Sequence, residues 1–227
     1  MKFPLLSSLV LALGLTSAQA TITLQSISSF DSDAEGWQRG AGTNRSSFNA
    51  GTSFDGQSGF LQTDSPAAGA GSRWLVQNTS SVWTGDYASA GVIGLSFYAE
   101  NAGALNSTNP LRFALISGST GFVSDAISLT NSSSAADWAQ ISLNFADFTR
   151  AAGSASLDDV LSNVTRVQFF LADNTPTRLG RQGIFVADQG AATINLDDIR
   201  AVGVVPEPST SLLALLTLLG LSTRRRR

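Results

Sequence analysis

Val92-Ile93-Gly94-Leu95-Ser96-Phe97-Tyr98-Ala99 is the stretch on which the fold turns. Ile93, Leu95 and Phe97 alternate with smaller residues and with Tyr98, the period of two that puts one face of a strand in a core and leaves the other half exposed. The run is too short and too rich in β-branched and aromatic residues for a helix. It predicts a strand of an antiparallel sheet with one covered face.

The same alternation recurs on both sides of this run. Upstream, Thr21 to Ser29 predicts a first strand ending at Phe30, followed by Gly59-Phe60-Leu61-Gln62-Thr63 and Arg73-Trp74-Leu75-Val76. After these, Ser81-Val82-Trp83-Thr84-Gly85-Asp86-Tyr87 is a turn carrying two aromatics. Downstream, Pro110 to Ile116, Phe122-Val123, Ala126 to Leu129, Trp138 to Phe145, Val164 to Leu171, Ile184 to Ala187 and Ala192 to Val202 each read as strands. Only Leu157-Asp158-Asp159-Val160-Leu161 spaces its apolar residues three and four apart, as a helical turn does. About ten short strands separated by turn residues predict an all-β fold, a two-sheet β-sandwich of jelly-roll type.

The two ends of the chain are of a different kind. Lys2 followed by the apolar run Leu5 to Leu15 and by Ala18-Gln19-Ala20 is the pattern of a signal peptide over residues 1–20, with the mature chain starting at Thr21. At the other end, Pro206-Glu207-Pro208 precedes the Leu-rich run Leu212 to Leu221 and then Arg224, Arg225, Arg226 and Arg227. The prolines break any preceding element. A helix over the apolar run covers roughly 20 Å, short of the roughly 30 Å of a bilayer core, so it makes a marginal membrane span. The terminal arginines hold its end on the cytoplasmic side. Residues 21–203 remain as one domain.

That domain is acidic, with nine arginines, no lysine, fourteen aspartates and two glutamates. An acidic surface argues against nucleic acid as a partner. The chain contains neither His nor Cys, which excludes imidazole triads, thiolate chemistry and the common zinc sites. No G-x-S-x-G and no phosphate-binding glycine loop occurs either. The surviving catalytic option is a glycosidase-type carboxylate pair, and the sequence singles out no such pair.

Two candidate sites stand out. Asp31-Ser32-Asp33-Ala34-Glu35-Gly36 crowds three carboxylates before a glycine, as in the first half of a Ca²⁺ loop, but its twelfth position is Gly42 where an EF-hand needs a bidentate acid. A solvated acidic turn and a Ca²⁺ site of another type both remain open. Sugars are held by aromatic faces flanked by amides and carboxylates. Among Trp37, Trp74, Trp83, Tyr87, Tyr98 and Trp138, the tyrosines Tyr87 and Tyr98 are the candidates for glycan contact.

Two resemblances follow from these residues. Pro206-Glu207-Pro208, the Leu run and the Arg cluster resemble the PEP-CTERM sorting signal of Gram-negative bacteria. That resemblance implies an exosortase as processing partner, transient anchoring in the inner membrane, removal of the tail and delivery to the cell surface or extracellular matrix. Phe30 to Trp37, Val82 to Tyr87, the Trp138 strand, Val160 to Val167 and Leu196-Asp197-Asp198-Ile199 resemble the laminin-B-like and carbohydrate-binding group of galactose-binding-type jelly rolls. This second resemblance implies a structural Ca²⁺ held by Asp31 and by Asp197 or Asp198, of which strand alternation turns only one inward. The expected function is a non-enzymatic exported surface or matrix protein with a structural or polysaccharide-contacting module. The alternative is a secreted glycan hydrolase using two carboxylates.

Overall fold

The computed structural model describes residues 22–39, 46–52, 58–65, 74–102, 110–129, 138–180, 183–184 and 192–203. The expected signal helix and C-terminal hydrophobic helix fall outside these residues. Among the described residues, no helix is long and apolar enough to cross a membrane.

Two antiparallel sheets form a β-sandwich, as the alternation predicts. The first has the order β3 (Ser46–Thr52), β4 (Ser58–Ser65), β14 (Ala192–Gly203), β6 (Val92–Asn101), β9 (Ala139–Asn144), with β1 (Ile27–Ser28) also on β14. The second runs β10 (Thr149–Ala152), β8 (Thr120–Val123), β7 (Leu111–Ser117), β11 (Arg166–Leu171), β5 (Leu75–Asn78), β2 (Gln38–Arg39). A small hairpin, β12 (Leu179–Gly180) with β13 (Gly183–Ile184), pairs with neither sheet. Helix α1 (Leu157–Leu161) lies where its spacing predicts, closed by a capping box in which Ser156 and Asp159 each accept the other's backbone N–H.

The core between the sheets is aromatic. The Phe169 ring on β11 lies 4.9 Å from Phe97 of the first sheet, 4.8 Å from Phe113 of its own sheet and 5.5 Å from Trp37. Burying an indole requires a partner for its N–H. Trp37 and Trp83 both donate to the buried Ser28 hydroxyl, at 3.0 and 2.9 Å, and Trp74 donates to the Thr63 carbonyl at 2.8 Å. Strand β9 approaches β6 so closely that a Cβ on Gly94 would lie 2.1 Å from the Leu143 carbonyl oxygen.

Several expectations are corrected. The first strand shrinks to Ile27–Ser28, because a turn closed by Ser26 N–H on the Thr23 carbonyl interrupts it. Ala126 to Leu129 is no strand and keeps only a bridge between Ile127 and Leu111. The strand read at Arg73 to Val76 is observed as Leu75–Asn78. Ile93 is 46% exposed, because the register of β6 on β14 shifts between Val202 and Gly203. Strands β2, β3 and β10 come from segments without alternation and exist through their pairing.

Candidate functional site

Asp197 and Asp198 do not obey strand alternation. The pairing of β14 with β6 slips between Asp197 and Arg200, and Asp198 takes the left-handed backbone conformation at φ 48°. This bulge adds one residue, so both aspartates are buried, where alternation predicts one inward and one outward. Ile194, Leu196 and Ile199 belong to the core, which leaves Asn195 and Asp197 on the outer face of the sheet. Asp198 accepts a hydrogen bond from Arg200 Nε at 2.6 Å. Asp31 is exposed and accepts from the Ser29 hydroxyl at 2.9 Å, while Glu35 accepts the Phe30 N–H at 2.7 Å.

Asp31 and Asp198 are thus each engaged by a side chain two residues away, and Asp197 accepts the Asp198 N–H. Among the described residues no three acidic side chains gather as a metal site. The acidic turn after Phe30 instead ties its carboxylates to hydroxyl and backbone donors.

The two tyrosines separate. Tyr87 is fully buried, donates its hydroxyl to the Trp83 carbonyl at 2.8 Å and packs its ring 5.8 Å from Phe145. Burial drives its pKa far above the usual phenol value. No ring face is left for a sugar, so Tyr87 is a core residue. Tyr98 is partly exposed on the outer face of the first sheet, in register with Asp197 on one side and Gln140 on the other.

Around Tyr98 that face is built of carboxylates and amides. Next to the Asp197, Tyr98 and Gln140 row runs a second row, Gln62, Asn195 and Glu100. Asn195 donates from Nδ2 to Glu100 Oε2 at 3.0 Å, while Asn195 Oδ1 is buried without a hydrogen-bond partner. Phe60 on β4 and Trp138 beside β9 belong to strands three spacings apart, roughly 14 Å in a flat sheet. Their rings nevertheless meet edge to face at 5.8 Å. The side chains lean in over the middle strands, whose outward Asn195, Glu100 and Asp197 are only 4%, 9% and 2% exposed.

The outer face of the second sheet escaped sequence reading altogether. Cross-strand pairing aligns Gln38, Gln77 and Gln168 over three adjacent strands. The β12–β13 hairpin covers the neighbouring strands, packing Leu179 and Ile184 with Ile116, Val123 and Phe170, and Gln168 Oε1 accepts the Ile184 N–H at 3.0 Å. Arg166 lies beside this row. Only the register could have disclosed it, since the three glutamines are far apart in the chain.

A cavity of about 480 Å³ lies at the end of the sandwich where the domain begins, lined by Ile22, Thr23, Leu24, Gln25, Asp86, Ser89 and Ala90. It holds none of the residues singled out by the sequence.

Residues 204–227, outside the described residues, match the PEP-CTERM protein-sorting motif. Among solved structures the chain is similar to a family 11 carbohydrate-binding module from Clostridium thermocellum in complex with a β-1,3-1,4-mixed-linked tetrasaccharide, with TM-score 0.44, 17% identity, and 80% of this chain and 91% of that chain covered. It is also similar to a β-1,2-glucanase from Parabacteroides distasonis, with TM-score 0.46, 13% identity, and 82% and 26% covered. A third is a carbohydrate-binding module specific for non-crystalline cellulose, with TM-score 0.43, 11% identity, and 74% and 87% covered. Alignments this loose say nothing about a site. No curated protein matches the chain.

Proposed function

We propose that the chain is a non-enzymatic exported protein whose β-sandwich contacts polysaccharide at the cell surface or in the extracellular matrix of a Gram-negative bacterium. One observation carries the reading: the closing strand β14 ends at Gly203 and the sorting motif starts at residue 204, so a self-contained sandwich is handed directly to a sorting signal. In this reading an exosortase-type enzyme in the inner membrane removes the tail near Pro206-Glu207-Pro208, after the signal peptide has been cut behind Ala20.

The face around Tyr98 supports the sugar-contacting half. Carboxylates and amide carbonyls accept hydrogen bonds from sugar hydroxyls, and a partly exposed phenol ring offers its face to sugar C–H groups. Tyr98, Gln140 and Asp197 share one row there. Glu100 and Asp197 accept from the Asn195 amide and the Asp198 N–H and are not an acid and base pair in this reading.

Affinity gel electrophoresis of the mature chain in neutral β-glucan gels tests it, together with the intact mass of the protein from its host. Retardation that Tyr98→Ala reduces about tenfold, with polysaccharide chain length unchanged, supports the reading. Shortening of the polysaccharide that Glu100→Gln abolishes overturns the non-enzymatic assignment. A mature mass that still includes Arg224 to Arg227 overturns the processing step.

A further inference from the structure

The second sheet carries a cation that no described residue pairs with. Three arginines can be compared. Arg112 is buried, donates to the carbonyls of Ala172, Ser124 and Asp173 and has the carboxylates of Asp125 and Asp173 nearby. Arg200 is paired with Asp198. Arg166 is partly buried, and its Nε is shielded from solvent without a hydrogen-bond partner. Burial alone acts on its guanidinium, pulling its pKa below the usual value. Leaving a shielded donor unmade is costly, and an arginine without a partner at a partly open position is poised for one.

Its surroundings define the shape of the missing group. Arg166 precedes Gln168 by two residues on β11, so it lies on the same outer face, diagonal to Gln77 of β5. Gln77 Oε1 is also buried without a partner, and Gln38 extends the row to the exposed edge. On the other side Gly183 of the hairpin, at φ 109°, lies so close that a Cβ there would be 3.2 Å from Arg166 Nη1. One side of the guanidinium is thus closed by backbone. The Nε side is shielded in this conformation; with the side chain turned outward it presents a fork that a carboxylate fits with two parallel hydrogen bonds. Gln77, turned outward with it, would offer Oε1 to one hydroxyl.

A carboxylate and a hydroxyl on one small rigid unit describe a uronic acid residue. We propose that the ledge of Arg166, Gln77 and Gln38 beside the β12–β13 hairpin binds a uronate of an acidic polysaccharide, a second contact on the sheet opposite Tyr98. For the kind of polymer that presents the carboxylate this rests on the polysaccharide reading above; the site itself rests on the unpaired atoms. The domain is net negative, and its long-range field opposes a polyanion. At 0.15 M salt, charges more than about 8 Å apart are screened and the contact decides.

The test is affinity electrophoresis and calorimetry of the full-length chain with polygalacturonate at that salt, with fully methyl-esterified polygalacturonate and dextran sulfate as comparison polymers. Polygalacturonate is expected to bind, its ester not to, and Arg166→Gln to weaken binding at least tenfold without lowering the melting temperature. Gln77→Glu, which hands Arg166 an internal carboxylate, is expected to abolish binding and raise the melting temperature. Tyr98→Ala is expected to leave polygalacturonate binding unchanged, which separates this proposal from the one above. Equal affinity of parent and Arg166→Gln, binding of the ester as strong as that of the acid, or binding of dextran sulfate alone overturns the proposal.

Discussion

The two outer faces of the sandwich share one core and have opposite chemistry. On the first sheet the shielded polar groups are chiefly acceptors, and Asn195 supplies Glu100 with a donor. On the second sheet, Gln168 is satisfied by the hairpin, whereas Arg166 Nε and Gln77 Oε1 have no partner. A buried polar group is normally satisfied within the protein, and the second face leaves a donor as well as an acceptor unmatched, where the first leaves the acceptor Asn195 Oδ1. The unmatched cationic donor is what sets the second face apart.

The sharpest way to break that contrast is to remove what the faces share. Phe169→Ala takes away the ring that joins Phe97 of one sheet to Phe113 of the other, and is expected to cost about 3–5 kcal/mol in urea denaturation. Both faces should then lose binding together at the unfolding midpoint. Loss at one face alone, with the fold intact, would show that the sheets are not coupled through this ring.

A smaller pair of effects tests the faces individually. Asn195→Ala leaves the shielded Glu100 without its donor and is expected to destabilise by about 1–3 kcal/mol. Arg166→Gln removes a charge that nothing compensates and should change stability by no more than about 0.5 kcal/mol, or increase it. Thermal melts of the two variants in one buffer give the comparison. A loss at Arg166 as large as at Asn195 would mean that the guanidinium is already satisfied in the fold.

The sequence showed how the layers arise but not how the faces are furnished. Strands β6, β7 and β11 were legible because Leu95, Phe97, Phe113, Leu115, Val167 and Phe169 recur with period two, which is also the reason they are core. Helix α1 was legible from its own spacing. Strand β3 was not, since Ser46 to Thr52 gains strand structure only by pairing with β4. Tyr87 and Tyr98 look equivalent in sequence, and only packing makes one a core residue. Asp197 and Asp198 misled because alternation holds until a bulge breaks it, and nothing in Leu196 to Ile199 announces a left-handed residue that is not glycine. The glutamine row depends on the register of three strands, which no single segment encodes.

The smallest effect concerns a part of the molecule that neither face touches, and it checks that the contrast is local. Ser156→Ala removes the hydroxyl that caps α1, and is expected to cost about 0.5–1 kcal/mol at neutral pH. Asp159 is held below its ordinary carboxylate pKa of 3.8 by hydrogen bonds from the Ser156 hydroxyl and N–H. A depressed folded pKa means that the unfolded chain takes up the proton first as pH falls, so the stability is complete above 3.8 and fades as pH drops through the lower folded value. Asp86, held down by its bonds to Ser89, fades in the same window in parent and variant alike and cancels between them. The melting-temperature gap between parent and Ser156→Ala should therefore shrink as pH falls below 3.8. Arg166→Gln should run parallel to the parent throughout, because a guanidinium does not titrate there. If the Arg166→Gln curve also converges on the parent at low pH, a carboxylate is pairing with Arg166 in the folded chain. The cation of the second face would then be satisfied from within.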